Sequence, residues 1–95
     1  MRLRLAERPL HPLALGHVHR ELLDLDRAEA ALREAIDLTQ PLADSKTHRD
    51  RNVVSRLEHA HVMQLLGRPD EALRAMEDIR GTLVRQTSPG HYFPL

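Results

Sequence analysis

Histidine is the side chain of this sequence best equipped for chemistry. There are seven in 95 residues, and the pairs His17/His19 and His59/His61 share one spacing. Such pairs invite a metal site, yet the spacing opposes it. On one helix, residues two apart point about 200° apart, whereas a chelating pair sits at i and i+4. No metal is therefore expected. His61 carries a different expectation, since it shares an arc with Val54, Leu57 and Leu65. Burial there would depress its pKa and set protonation against packing.

The remaining polar candidates read as structure. Lys46-Thr47-His48-Arg49-Asp50-Arg51 is locally basic, but Asp44 and Asp50 dilute it, and a solvated turn between units is expected. Asp24, Asp26, Asp70 and Glu71 fall at helix ends, where capping and the helix dipole account for them. The sequence has no phosphate-binding glycine loop, no strand-borne nucleophile and no metal-protease helix. Neither an enzyme nor a cofactor is expected.

The elements that position these residues follow from composition and spacing. A chain of 95 residues allows one small domain with a modest core. Apolar residues make up 41% and charged residues 29%, a globular mixture rather than a disordered one. The only aromatics are Tyr92 and Phe93, so the core must be built from Leu, Ala, Val, Ile and Met, a palette that favours helices. Fourteen basic residues balance fourteen acidic ones, whereas a phosphate-gripping chain would carry a basic excess. Without cysteine there are no disulfides, which fits a reducing compartment. Arg4, Glu7, Arg8 and Pro9 interrupt any signal-like stretch, and no run approaches the roughly 18 apolar residues of a membrane span. A soluble, cytoplasmic protein is expected, with no membrane association.

Pro9 and Pro12 bracket the entry to a first helix over about 12–24, with Leu15, Val18, Leu22 and Leu25 on one face. A second helix over about 26–39 places Ala28, Ala31, Leu32, Ala35 and Leu38 at helical spacing. Pro41 ends it, because proline disfavours the helical conformation in the residue before it. Asp44 or Ser45 caps a third helix over about 45–66. There Val53, Val54, Leu57, Ala60, His61 and Leu65 form one arc, and Val62, Met63 and Leu66 another. Gly67 closes this helix as a left-handed residue would. Pro69, Asp70 and Glu71 open a fourth helix, which buries Ala72, Leu73, Met76, Ile79 and Leu83. Thr87-Ser88-Pro89-Gly90 stops it. The organisation is an N-terminal extension (1–11), a helical domain (12–86) of two units (about 12–40 and 45–86), and a tail (87–95).

Residues 25–38 and 66–79 match at six of fourteen positions, a repeat at a spacing of 41. Leu66-Gly67-Arg68-Pro69-Asp70-Glu71-Ala72-Leu73 resembles the inter-helix turn and second-helix start of tetratricopeptide-type repeats. Ala60 stands at that family's small position, Met63 at the bulky one a turn later, and Met76 and Ile79 at the last two. The first unit departs from the pattern, with Asp26 where the turn glycine is expected and His19 where a small residue should be. A spacing above the family's usual value of about 34 implies longer helices. Such units resemble the C-terminal regulatory regions of bacterial helix-turn-helix transcription regulators. The Arg/Ala/Leu-rich style and Leu38-Thr39-Gln40-Pro41-Leu42 add to the likeness, which spans about residues 12–85.

The resemblance implies an all-α, right-handed stack of two long antiparallel helical hairpins, a tetratricopeptide-like α-solenoid fragment. In that family the first helix of each unit lines a groove for a peptide or partner helix. The matching positions are Arg20, Leu23 and Asp24 in the first unit and His61, Gln64 and Leu65 in the second. A non-catalytic protein-protein interaction module follows, the regulatory or sensory part of a bacterial transcription regulator. Solenoids need about three or more units with caps, so two units are expected to pair as a homodimer or to enter an obligate complex. Tyr92 and Phe93 are expected to cap the last helix or to contact a neighbouring chain. Two alternatives stand beside this reading: a regulator that binds DNA in its own right, and a small-molecule sensor with its ligand between the first and third helices. No DNA-reading motif can be assigned apart from the two hairpins, so direct nucleic-acid binding is not expected of this chain alone.

Overall fold

A computed structural model of the chain describes residues 11–42 and 45–86. Residues 1–10, the Asp44 cap, the 87–90 stop and the tail with Tyr92 and Phe93 lie outside the described residues. Among the described residues every regular element is helical. Helix α1 spans Pro12–Glu21, α2 Leu25–Thr39, α3 Lys46–Leu65 and α4 Pro69–Gln86, with a short 3-10 turn Gln40–Leu42 after α2.

Local chemistry sets most of these boundaries. Pro12 opens α1, and His11 Nδ1 accepts from the Leu13 N–H at 3.1 Å, a side-chain cap for an orphan donor. Pro41 lacks the N–H that would continue α2, and the chain tightens into the 3-10 turn. Ser45 is the N-cap of α3 by its extended backbone, although its side chain makes no capping bond. Asp70 and Glu71 complement the dipole in the first turn of α4.

Helix α1 ends three residues earlier than expected, at Glu21, and the reason lies in the turn. The Leu23 N–H donates to the Arg20 carbonyl at 2.9 Å and the Asp24 N–H to the His19 carbonyl at 2.8 Å. These are the paired bonds of a Schellman motif, which needs a left-handed residue just past the helix. Leu23 supplies it, with φ 60°. The turn between α3 and α4 repeats the pattern. Gly67 N–H donates to Gln64 O at 3.1 Å and Arg68 N–H to Met63 O at 2.9 Å, with Gly67 at φ 81°.

Every one of these atoms recurs 44 residues later, not 41. At this offset Leu13, His17, Val18, Leu22, Asp26, Ala28 and Ala31 meet identical residues at 57, 61, 62, 66, 70, 72 and 75. The partner of Gly67 is therefore Leu23 rather than Asp26, and the partner of Ala60 is Gly16 rather than His19. Both Gly16 and Ala60 are buried. A slip of three residues is nearly one helical turn, so the apolar faces almost coincide in either register and periodicity alone does not separate them.

Each helix packs antiparallel to its chain neighbour, and α1 also touches α3. Glu29 near the start of α2 lies beside His59 of α3, while Thr39 at its end meets Asn52. Helices α1 and α3, each antiparallel to α2, thus run parallel to one another. Ala28, Leu32 and Val62 form one buried cluster, with Leu13, Leu25 and Leu66 against it. Ala60, Met63 and Ala72 form the other, flanked by Ala75. Gly16 admits this packing, since a Cβ there would stand 2.5 Å from Leu32 Cγ.

Several expected core positions are exposed instead. Val18 and Leu22 of the α1 stripe lie open, as do Leu38, Val54, Leu57, Leu65, Leu73, Met76 and Leu83. Helical periodicity finds apolar faces but not whether a neighbour covers them. Conversely Thr39, Asn52 and Ser55 are buried. The Asn52 amide donates to Thr39 Oγ1 at 3.0 Å and Gln40 Oε1 at 3.2 Å, while Thr39 and Ser55 bond backward to Ala35 O and Arg51 O. Satisfied polar groups of this kind are tolerated in a core.

Candidate protein-binding cleft

Side by side and parallel, α1 and α3 leave a cleft of about 530 Å³ between them. Leu13, Ala14 and Val18 of α1 and Val54 of α3 supply its apolar surface. One turn along α1 separates Ala14 from Val18, and one along α3 separates Arg51 from Val54, so each helix turns a single face to the opening. His11 and Arg51 stand among the lining residues, with His17 and Glu58.

A charged lock joins the two walls. Arg20 Nε donates to Glu58 Oε1 at 2.8 Å, and Arg20 Nη2 lies 3.2 Å from His17 Nδ1. That contact requires the neutral tautomer, with the His17 proton on Nε2. Glu58 Oε1 is also 3.6 Å from His17 Nδ1. A half-buried charge-assisted bond across two helices fixes their separation, and with it the width of the cleft.

A second polar knot lies where α2, α3 and the second turn meet. Glu29 Oε2 accepts from Arg33 Nη2 at 2.7 Å and Arg68 Nη1 at 3.0 Å, and His59 Nε2 stands 3.5 Å away. Burial pushes the Glu29 pKa up, but Arg33, Arg68 and His59 together outweigh it and hold the carboxyl below its ordinary value. Burial lowers the His59 pKa, and Arg33 and Arg68 add to this against the opposing pull of Glu29. His59 is thus held in a packed setting, its side chain 13% exposed. His61, expected to be buried, is exposed.

The six expected groove residues fall in four places. Arg20 belongs to the lock beside the cleft. Leu23 and Asp24 lie in the first turn, where Leu23 is exposed and Asp24 Oδ2 lies 3.6 Å from Arg27 Nε. His61 and Gln64 line a smaller hollow of about 170 Å³ with Leu57, Ala60, Ala72 and Met76. Leu65 is exposed at the end of α3. His17, Val18, Val54 and Glu58, which line the larger cleft, were not anticipated from the sequence. Matching Gly16 to Ala60 as the small residue of each hairpin would have found His17, the counterpart of His61.

The cleft combines apolar side chains with two charged groups, Arg51 and Glu58, which lie two turns apart on α3. Among the described residues no three His, Cys, Asp or Glu side chains could share a metal ion. No family model, no curated protein and no solved structure matches this chain.

Proposed function

We propose that this protein is a non-catalytic interaction module. Its two hairpins form a tetratricopeptide-like right-handed stack, working as a homodimer in the cytoplasm as the regulatory part of a bacterial transcription regulator. The observation that carries the binding role is the α1/α3 cleft, apolar at Val18 and Val54 and charged at Arg51 and Glu58. Such a cleft suits a peptide or helix that inserts one apolar side chain between flanking groups of opposite charge. The common Schellman turns and the buried small residues Gly16 and Ala60 support the repeat reading. Among the described residues no helix is long and apolar enough to cross a membrane.

Random peptides displayed on phage and selected on the full chain provide the test. Wild type is expected to enrich sequences with an apolar residue between charges, and Val54→Asp to lose them by about tenfold or more in affinity, or about 1.4 kcal/mol. Val54 is exposed, so the variant keeps its fold. Peptides that bind both proteins equally, or no enrichment at all, would remove the cleft from the reading.

A further inference from the structure

The two hairpins carry equivalent faces, and among the described residues α3 covers that of α2 whereas no helix lies over that of α4. On α2 that face holds Glu29, Leu32, Ile36 and Thr39, all met by α3. Leu32 packs with Val62, Glu29 lies by His59, and the Asn52 amide donates to Ile36 O and Thr39 Oγ1. Forty-four residues on, the same positions of α4 are Leu73, Met76, Arg80 and Leu83. Leu32 is 0% exposed and Met76 46%; Leu73 and Leu83 stand at 59% and 43%. Two polar anchors, Glu29 and Thr39, have become leucines. The open face is therefore more apolar than the covered one, the reverse of what solvent alone would favour.

The spacing of this face names its occupant. Positions 73, 76, 80 and 83 are separated by three, four and three, which reads the same in both directions. An identical helix laid antiparallel about a two-fold axis brings Leu73 opposite the partner's Leu83 and Met76 against the stem of the partner's Arg80. Glu77 then lies beside the partner's Arg80, and the axis repeats that pair. Neither Glu77 nor Arg80 has an ion pair among the described residues. A parallel arrangement would instead set Arg80 on Arg80 and Glu77 on Glu77, which like-charge repulsion disfavours.

We propose that the chain self-associates through the 73–83 face of α4 as an antiparallel two-fold dimer, with Glu77 paired reciprocally to the partner's Arg80. This deepens, and rests on, the dimer part of the proposed function; it is independent of what the cleft binds. With one helix per copy at its centre, the interface belongs to the small, reversible class.

Sedimentation velocity of the full chain over a concentration series tests it, with circular dichroism to verify folding. Wild type is expected to dimerise. Met76→Glu should weaken the dimer by about tenfold or more, because it places charge in an apolar layer. Glu77→Arg and Arg80→Glu should each weaken it, since each creates like-charge pairs. The double variant Glu77→Arg/Arg80→Glu should restore wild-type association. A chain monomeric at every concentration would overturn the dimer altogether, including that part of the proposed function. A dimer indifferent to Met76→Glu and to the single charge changes would overturn this face. Single charge changes that weaken a dimer the double variant fails to restore would overturn this pairing.

Discussion

The first hairpin and the second are built on the same turn, yet they differ in what lies over them. Gly16, Ala28 and Leu32 of the first occupy the positions of Ala60, Ala72 and Met76 in the second. In the first, α3 covers this face and closes it with the Glu29–His59–Arg68 knot and the Asn52 bonds. In the second, Leu57, His61 and Gln64 line an open hollow with the equivalent residues. The difference is not one of apolar character, because the open face is the more apolar of the two. What buries the face of α2 is the packing of α3 against it, and among the described residues no helix packs on the equivalent face of α4.

The largest effects should come from emptying equivalent positions. Leu32→Ala removes a fully buried side chain from the cluster with Ala28 and Val62, and should cost about 2–5 kcal/mol. Met76→Ala at the matching position leaves no enclosed cavity, and should cost under about 1 kcal/mol in dilute solution. Urea unfolding of both variants measures the contrast. Equal losses would mean that the two faces are not differently covered.

The polar knot gives the first hairpin a pH dependence that Leu73 cannot give the second. His59 has a folded pKa below its ordinary 6.5, so the unfolded chain takes up its proton first as pH falls. Its contribution is complete above about 6.5 and is lost as pH falls through the folded pKa. Glu29, held below its ordinary 4.5, contributes with the same sign at lower pH. The charged groups facing the imidazole are Glu29 and Arg33 from α2 and Arg68 from the second turn. Stability measured by urea at pH about 7 and about 5.5 should fall more in wild type than in His59→Phe. Parallel losses in the two proteins would show that His59 does not couple to folding.

The four helices were legible because their punctuation is chemical: Pro12, Pro41, Gly67 and Pro69 each act locally, and Ala28, Ala31, Leu32 and Ala35 mark a buried stripe correctly. The first turn was not legible. Leu23 takes the left-handed conformation without being glycine, so nothing in its residue type announces the end of α1. Sequence alone therefore makes the helix too long and sets the repeat three residues out of register with the turns, which is why the expected groove positions Leu23 and Asp24 lie in the first turn. The cleft was hidden for another reason. Val18, Val54 and Glu58 are ordinary surface residues on their own helices and become a site only when α1 and α3 lie parallel. The packed setting of His59 is not legible because it depends on Glu29 of α2, thirty residues away in sequence, and on Arg68 of the following turn.

The smallest effects should arise in the two turns, and they isolate backbone conformation from packing. A left-handed residue other than glycine costs roughly 1–2 kcal/mol, offset in part because glycine makes the unfolded chain more flexible by about 0.4–1 kcal/mol. Leu23→Gly should therefore stabilise by about 0.5–1 kcal/mol, its exposed side chain giving up little on removal. Gly67→Ala should destabilise by a similar amount, and here sterics are not a factor, because a Cβ at Gly67 meets nothing within 4 Å. Thermal unfolding of the two single variants and of the double variant measures both shifts. If the turns are equivalent, the two changes nearly cancel in the double variant. A Leu23→Gly variant that loses stability would mean that Leu23 holds the first turn through its side chain, and the two hairpins would then share a hydrogen-bond pattern without sharing its cause.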